Sequence, residues 1–204
     1  MTGSPLVLSS ALAAGDGAAR ADRPGQTSRA AGEARRRAKG QAAQAAIQRY
    51  GVRVVAAVPA QLGFLAAQLE ALGAPAQPSR ERLRRIVTGG DPMDAATAAA
   101  LRRRFGPVLV NYYGSTETGA VTVAVGADLD RDPTTVGRPV VGARVQVIGS
   151  DGAVLPRGQV GRVRVSSLLA SPGAAPDGRP VVLADLGQVD QAGRLHIVGR
   201  AKRA

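Results

Sequence analysis

The sequence has no cysteine and a single histidine, His196, in 204 residues. These absences exclude disulfide bonds, metal sites with cysteine ligands, histidine-cluster metal sites and a serine–histidine catalytic triad. Aromatic residues make up only 2% of the chain, so the core has to be built from alanine, valine, leucine and isoleucine. No apolar run reaches the roughly 18 residues of a membrane-spanning helix, and residues 1–12 lack the basic start of a signal peptide. We therefore expect a cytoplasmic protein with no membrane span.

Basic residues outnumber acidic ones by 27 to 15, which gives a formal net charge of +12. A charge of this sign can indicate nucleic-acid binding. Apart from Lys39 and Lys202, however, every basic residue is an arginine, and arginine together with abundant alanine and glycine is also typical of a GC-rich genome. The arginines occur in every region and do not alternate with aromatic residues. We therefore expect only non-specific attraction to nucleic acid at low salt.

The hydrophobic pattern divides the chain into three parts. Residues 1–32 are rich in small and polar residues without a period of 2 or 3.6, which predicts a disordered or poorly ordered segment. Residues 33–130 alternate helical patterns with short apolar strands, which predicts a partial parallel sheet in an α/β fold. Residues 131–204 show valine and isoleucine alternating with polar residues, which predicts a β-rich antiparallel part.

Within residues 33–130 the pattern predicts helices over 33–50, 59–72 and 95–104, and strands over 53–58, 83–87 and 107–111. Pro59 suits the first position of a helix, where its missing N–H has no partner to lose. Asp94 can cap the helix that follows it. Helical spacing predicts that one face of each of the last two helices is buried: Leu62, Leu65, Ala66, Leu69 and Leu72 in the first, and Leu101 and Phe105 in the second.

The stretch 111–117 reads Asn-Tyr-Tyr-Gly-Ser-Thr-Glu and combines an aromatic ring, a glycine, two hydroxyls and a carboxylate. Apolar runs at 108–110 and 121–123 flank it, so we expect it where one strand ends and the next begins. Ligands bind at the carboxyl ends of strands in α/β folds. A short motif of this kind also occurs as an ordinary turn, so its neighbours in the sequence have to decide.

Five further segments accompany this motif in a fixed order. They are residues 88–93 upstream, and 136–139, 155–158, 185–187 and 199–203 downstream. In this order they resemble the adenylate-forming (AMP-binding) superfamily of acyl-CoA synthetases, peptide-synthetase adenylation domains and luciferases. The run Tyr-Gly-Ser-Thr-Glu-Thr-Gly at 113–119 is most similar to the acyl-CoA ligase branch, and the resemblance covers residues 48–203.

The resemblance implies a cleft for ATP and an acyl-adenylate, built partly by residues 113–117. In the family pattern Tyr113 stacks on adenine, and Gly114 and Ser115 continue the nucleotide-binding motif. Thr116 hydrogen-bonds the phosphate, and Glu117 binds magnesium, a cation that takes hard oxygen ligands from only one or two carboxylates. Thr116 and Glu117 are thereby the candidate catalytic residues. From its residue type alone, Tyr113 is equally well a core or interface tyrosine.

The remaining candidate residues surround the nucleoside in the family pattern. Gly89, Gly90 and Asp91 match the loop along the adenine ring, although a Gly-Gly pair is also an ordinary turn. Asp185 matches the acceptor for both ribose hydroxyls, and Arg200 matches an arginine near the ribose. The usual Thr-Gly before this aspartate is replaced by Leu183-Ala184. We assign no role to His196 and expect it at the surface of a strand.

The family reaction joins a carboxylic acid and ATP into an acyl-adenylate with release of pyrophosphate, and CoA then gives acyl-CoA and AMP. Residues 1–50 do not match the family's Gly-, Ser- and Thr-rich phosphate loop, and Arg203 stands where an acidic hinge residue is usual. We therefore expect a chain truncated at both ends relative to the family. Its adenylation should be weak or absent, because charge stabilisation is usually the largest catalytic contribution.

Three alternatives stay open at this point. A second chain could supply the missing parts, so that the enzyme is active in a complex. The chain could instead be a non-catalytic module that binds a nucleotide, an acyl ligand or a partner protein. A basic nucleic-acid binder is the least favoured alternative. Within the leading interpretation, the fatty or aromatic acid that serves as substrate is not specified.

Overall fold

The computed structural model describes residues 38, 41–42, 45–47, 49–71, 83–175 and 179–201. The segment predicted to be disordered, 1–32, lies outside them, as do Leu72, Lys202 and Arg203 and the side chain of Leu69. Within the helix predicted at 33–50, residues 45–47 are helical and Ile47 is buried. None of the helices in the described part of the chain is both long and apolar enough to cross a membrane.

The described residues form two sheets, and the first has the strand order β1-β2-β3-β4-β5. Its strands are β1 (Val54–Ala56), β2 (Arg85–Thr88), β3 (Leu109–Ser115), β4 (Gly119–Val125) and β5 (Arg138–Pro139). Strands β1, β2 and β3 are parallel; β4 pairs with β3 in antiparallel orientation, and β5 in turn pairs antiparallel with β4. The parallel strands are connected by α1 (Pro59–Ala71) and α2 (Ala95–Phe105), and α3 (Ala127–Arg131) follows β4. The predicted α/β architecture is confirmed.

Local signals in the sequence explain where these helices begin. Helix α1 starts at Pro59 and buries Leu62, Leu65 and Ala66. Helix α2 starts after Asp94, whose carboxylate accepts a hydrogen bond of 2.7 Å from the backbone N–H of Thr97. The predicted inward residues of α2, Leu101 and Phe105, are buried. They belong to the same core as one apolar residue from each parallel strand: Val55, Ile86 and Leu109. Helices and sheet therefore share one core.

Strand β3 is longer than the sequence predicts, because it continues to Ser115 instead of ending at Asn111. Pairing with β4 satisfies the backbone here, and the buried Asn111 amide donates a hydrogen bond of 3.0 Å to the carbonyl of Thr135. Only residues 116–118 form the hairpin turn. The register shifts at Gly114, where a Cβ atom would lie 2.0 Å from the carbonyl oxygen of Gly119. Glycine at this position therefore permits the close approach of two strands.

The second sheet is antiparallel throughout and has the order β6-β7-β8-β9. Its strands are β6 (Ala143–Ile148), β7 (Gly161–Ser167), β8 (Val181–Val189) and β9 (Leu195–Arg200). The alternation predicted for β7 is confirmed, since Val163 and Val165 are buried. They pack with Leu195 and with Val121 of β4, and this second core joins the two sheets. The change of sheet falls after Pro139, and the division into domains at residue 130 stays a prediction.

A cluster of ionisable side chains reinforces the contact between the two sheets, and we call it the junction: Asp132, Asp190, Arg194 and His196. The His196 ring nitrogens lie 3.1 Å from an Asp132 carboxylate oxygen and 3.2 Å from an Asp190 oxygen. Arg194 reaches the same Asp190 oxygen at 2.7 Å. The His196 side chain is only 15% exposed, so the expectation of a surface position was wrong. Sequence alternation could not reveal it, because Asp132 comes from the loop between α3 and β5.

Candidate functional site

Three of the predicted site residues meet across the two sheets. Tyr113 lies in β3, and its hydroxyl donates a hydrogen bond of 2.6 Å to Oδ2 of Asp185 in β8. Arg200 lies opposite Asp185 on β9, and its Nε is 3.0 Å from Oδ1. Both carboxylate oxygens of Asp185 therefore have a donor from a different strand. The site forms only where the first sheet packs on the second.

The three side chains of this site differ in how far they are exposed to solvent. The Tyr113 ring is partly buried and packs against the second core. The Asp185 side chain is 18% exposed, whereas that of Arg200 is 77% exposed. Burial, together with the hydrogen bond to the Asp185 carboxylate and its charge, raises the pKa of Tyr113 well above its usual value. Tyr113 is therefore a neutral hydrogen-bond donor throughout the physiological pH range.

The predicted adenine loop, residues 89–91, begins directly after β2 and lies beside β3. Gly89 is buried against the neighbouring tyrosine, Tyr112, because a Cβ atom on Gly89 would lie 2.6 Å from the Tyr112 carbonyl oxygen and 2.8 Å from its ring. Gly90 has a φ of 90°, a conformation that side chains rarely adopt. Asp91 is exposed. A side chain at either glycine would change the path of this loop at the carboxyl end of the parallel strands.

Thr116 and Glu117 are exposed at the tip of the hairpin between β3 and β4. The buried Thr118 supports this tip: its hydroxyl lies 3.1 Å from that of Ser115 and accepts from the Ser115 backbone N–H, also at 3.1 Å. The Glu117 carbonyl accepts a hydrogen bond of 2.8 Å from the backbone N–H of Ser171. The tip is therefore anchored while its two candidate side chains face solvent.

The chemistry of Glu117 fits a magnesium ion held jointly with phosphate oxygens. A hydrogen bond from Ser115 lowers the pKa of the Glu117 carboxyl, which is therefore ionised at neutral pH. In the described part of the chain, no group of three or more acidic, cysteine or histidine side chains is arranged so that it could hold a metal ion. Magnesium commonly binds through one or two carboxylates and the phosphates of a substrate, and the exposed Glu117 is suited to this mode.

The structure thus brings Tyr113, Asp185 and Arg200 into direct contact, and it places the 89–91 loop beside the same strand. Thr116 and Glu117 follow Tyr113 at the end of β3, in a separate turn. The sequence did not identify the support from Thr118. The available signal was a threonine directly after a glutamate at the end of the motif, but the sequence alone does not show whether such a threonine is buried.

A comparison with protein-family models matches residues 25–173 to the AMP-binding enzyme family. The chain belongs to this family. The match includes residues 89–91 and 113–117, and Asp185 and Arg200 lie beyond its end. The resemblance stated from the motifs, to the acyl-CoA ligase branch of the adenylate-forming enzymes, is confirmed.

Individual relatives agree with this family membership. The chain is 30% identical over 131 residues to the medium/long-chain fatty-acid–CoA ligase FadD8 of Mycobacterium tuberculosis. The aligned segment covers 59% of this chain and 23% of that ligase. The structure of the amide bond synthetase McbA from Marinactinospora thermotolerans matches 80% of this chain and 34% of its own, with 30% identity and a TM-score of 0.69. ATP-bound MatB from Rhodopseudomonas palustris matches 79% of this chain and 33% of its own, with 25% identity and a TM-score of 0.65.

These relatives are much longer than the segments they share with this chain. The chain spans about a quarter of the fatty-acid–CoA ligase and a third of each of the two structural relatives.

Proposed function

We propose that this AMP-binding family chain binds the adenosine part of ATP or AMP where β3 faces β8 and β9. The carrying observation is the contact of Tyr113, Asp185 and Arg200 across two sheets, beside the glycine loop at 89–91. In this proposal Asp185 accepts hydrogen bonds from the ribose hydroxyls, and Arg200 lies beside the ribose. The Tyr113 ring stacks on the adenine, and the 89–91 loop lies nearby at the carboxyl end of the neighbouring strand β2.

The hairpin tip serves the phosphates in the same proposal. The exposed hydroxyl of Thr116 donates a hydrogen bond to a phosphate oxygen, and the ionised Glu117 holds magnesium against the phosphates. A magnesium ion there neutralises phosphate charge. Both side chains are accessible at the end of β3, and the bonds between Ser115 and Thr118 hold the tip in place.

For the complete reaction we propose the family chemistry: a carboxylic acid and ATP give an acyl-adenylate and pyrophosphate, and CoA then gives acyl-CoA and AMP. The similarity to a fatty-acid–CoA ligase supports a fatty acid as the acid. We further propose that the isolated chain binds nucleotide but catalyses adenylation weakly or not at all, because it spans only 23% of that ligase.

Calorimetric titration of the purified chain with AMP and with ATP plus magnesium tests nucleotide binding. We expect binding by the wild type and a loss of about tenfold or more in Asp185→Ala, because hydrogen bonds to a charged acceptor contribute about 1.5–3 kcal/mol each. Asp151→Ala, in the exposed turn between β6 and β7, is the control and should bind as the wild type does. Absence of heat in the wild type, or equal affinity of Asp185→Ala and wild type, would refute the proposed site.

Carboxylate-dependent ATP–pyrophosphate exchange tests the catalytic part separately. We expect exchange near background with fatty and aromatic acids, even when AMP binds. Strong exchange by the isolated chain would show that a complete adenylation site is present. Binding without exchange would agree with a nucleotide-binding module.

A further inference from the structure

The geometry points to a positioning role for the Tyr113 hydroxyl: we propose that it fixes the Asp185 carboxylate so that the chain binds ribonucleotides in preference to deoxyribonucleotides. This inference rests on the proposed nucleotide site and adds to it the group that creates its sugar selectivity. The observation behind it is the 2.6 Å hydrogen bond from Tyr113 in one sheet to Asp185 in the other.

The acceptor capacity of Asp185 fits a diol once its two protein contacts are counted. An ionised carboxylate offers about four acceptor positions on two oxygens. Tyr113 uses one position on Oδ2, and Arg200 uses one on Oδ1. About one position therefore stays available on each oxygen. Two neighbouring hydroxyl groups of a ribose are the ligand groups that match one free position on each oxygen.

Of the two protein donors, Tyr113 is the one that can hold the carboxylate in a fixed orientation. Its ring is packed against the second core, so the hydroxyl cannot move away without disturbing buried residues. The Arg200 side chain is 77% exposed, and exposed ion pairs of long side chains contribute little because they stay flexible and solvated. Without the Tyr113 hydroxyl, Asp185 can rotate, and its free positions no longer face two hydroxyls at once.

The same strand offers a matched comparison for this hydroxyl. Tyr112 is adjacent in sequence, is 38% exposed and points to the opposite face of β3. Tyr112→Phe and Tyr113→Phe remove the same atom and keep both aromatic rings. Only Tyr113→Phe removes a donor from Asp185.

The experiment measures the affinities of the full chain for AMP and for 2′,3′-dideoxy-AMP by calorimetry. We expect the wild type to prefer AMP by at least about tenfold, because two hydrogen bonds to a carboxylate are lost with the dideoxy sugar. In Tyr113→Phe this preference should fall to about threefold or less, while the affinity for dideoxy-AMP changes by less than about twofold because the ring stays in place. Tyr112→Phe should keep the wild-type preference.

A double variant separates positioning from an independent contact with the ligand. If Tyr113 acts through Asp185, Tyr113→Phe combined with Asp185→Asn should show the same sugar preference as Asp185→Asn alone. If the double variant instead loses the sum of the two single-variant losses of sugar preference, the proposal is overturned. An unchanged preference for AMP in Tyr113→Phe would overturn it as well. Tighter AMP binding by Tyr113→Phe would also overturn it, because the hydroxyl would then compete with the ribose.

Absorbance titration of the three tyrosines checks the contact without any nucleotide. The pKa of Tyr113 should lie above its usual value in the folded wild type, and Asp185→Asn should lower it. A Tyr113 pKa that Asp185→Asn leaves unchanged would overturn the proposed contact. Wild-type protein that binds neither nucleotide would refute the nucleotide site and with it the sugar selectivity. Equal binding of AMP and dideoxy-AMP would overturn only the selectivity.

Discussion

Replacing Asp190 by alanine should destabilise the chain far more than replacing an acidic residue of an exposed ion pair. The Asp190 carboxylate accepts from the Arg194 backbone N–H at 2.8 Å and from Arg194 Nε at 2.7 Å, and it lies 3.2 Å from the His196 ring. The Arg194 and Asp190 side chains are only 13% and 22% exposed. Without Asp190, a largely buried guanidinium loses its anionic partner.

The burial of this ion pair sets the expected loss of stability. Removing one partner of a fully buried ion pair costs about 3–5 kcal/mol. Because Asp190 is partly exposed, we expect Asp190→Ala to lower the free energy of unfolding by about 2–4 kcal/mol. Glu70→Ala is the control, since Glu70 and Arg103 are 56% and 67% exposed, and such pairs contribute about 0–1 kcal/mol. Urea denaturation of both variants at pH 7 gives the two free energies of unfolding.

The pH dependence gives a second measurement on the same variant. Burial alone raises the pKa of Asp190, but the hydrogen bonds from Arg194 and His196 and the Arg194 charge outweigh it, so the pKa lies well below its usual value. A lowered pKa means that the stabilisation is complete at pH 7 and decreases as the pH falls below about 4, the value in an unfolded chain. The difference in the free energy of unfolding between wild type and Asp190→Ala should therefore become smaller on acidification. A loss no larger than that of Glu70→Ala, or a gap that widens in acid, would refute this account of the junction.

Three further changes have equally specific expectations. Gly137→Ala should lower the free energy of unfolding, measured in urea, by about 3 kcal/mol or more, because its Cβ would lie 2.0 Å from the Val123 carbonyl oxygen. Gly152 has a similar φ but open space around it, so Gly152→Ala should cost only about 1 kcal/mol. Equal losses in the two variants would contradict the steric reason. Asp94→Ala should cost about 1 kcal/mol through loss of the helix cap, and because the backbone hydrogen bond lowers the pKa of Asp94, that loss should shrink below pH 4. Glu117→Gln should remove the magnesium effect on ATP binding while the free energy of unfolding stays the same, and a retained magnesium effect would exclude Glu117 as the ligand.

Local signals allowed the two helices that connect the parallel strands to be predicted from the sequence. The cap at Asp94 and the helical spacing of Leu101 and Phe105 are properties of neighbouring residues, and the structure has a helix at that place with both side chains buried. The start of α1 at Pro59 is also local. The end of β3 was not predictable in this way, because pairing with β4 extends the strand through polar residues that by themselves favour a turn.

The candidate site shows the same division between local and long-range information. The motif resemblance identified Tyr113, Asp185 and Arg200 one by one, but the contact between Tyr113 and Asp185 depends on how two sheets pack. His196 shows the limit most clearly: alternation placed it correctly in a strand, whereas its contact is with Asp132, a residue 64 positions earlier in the sequence. Alternation along one strand carries no information about a loop that packs on it.

The 72 positions that separate Tyr113 from Asp185 along the chain have a consequence for folding. Contacts between distant residues form late, because a long loop has to close before they stabilise anything. If a nucleotide binds these residues as proposed, it recognises only molecules in which the sheets have already docked, and by mass action it shifts the population toward them. AMP should raise the melting temperature by an amount that grows with the logarithm of its concentration relative to its Kd. It should also slow unfolding more than it speeds refolding, because its proposed site requires both sheets to be docked.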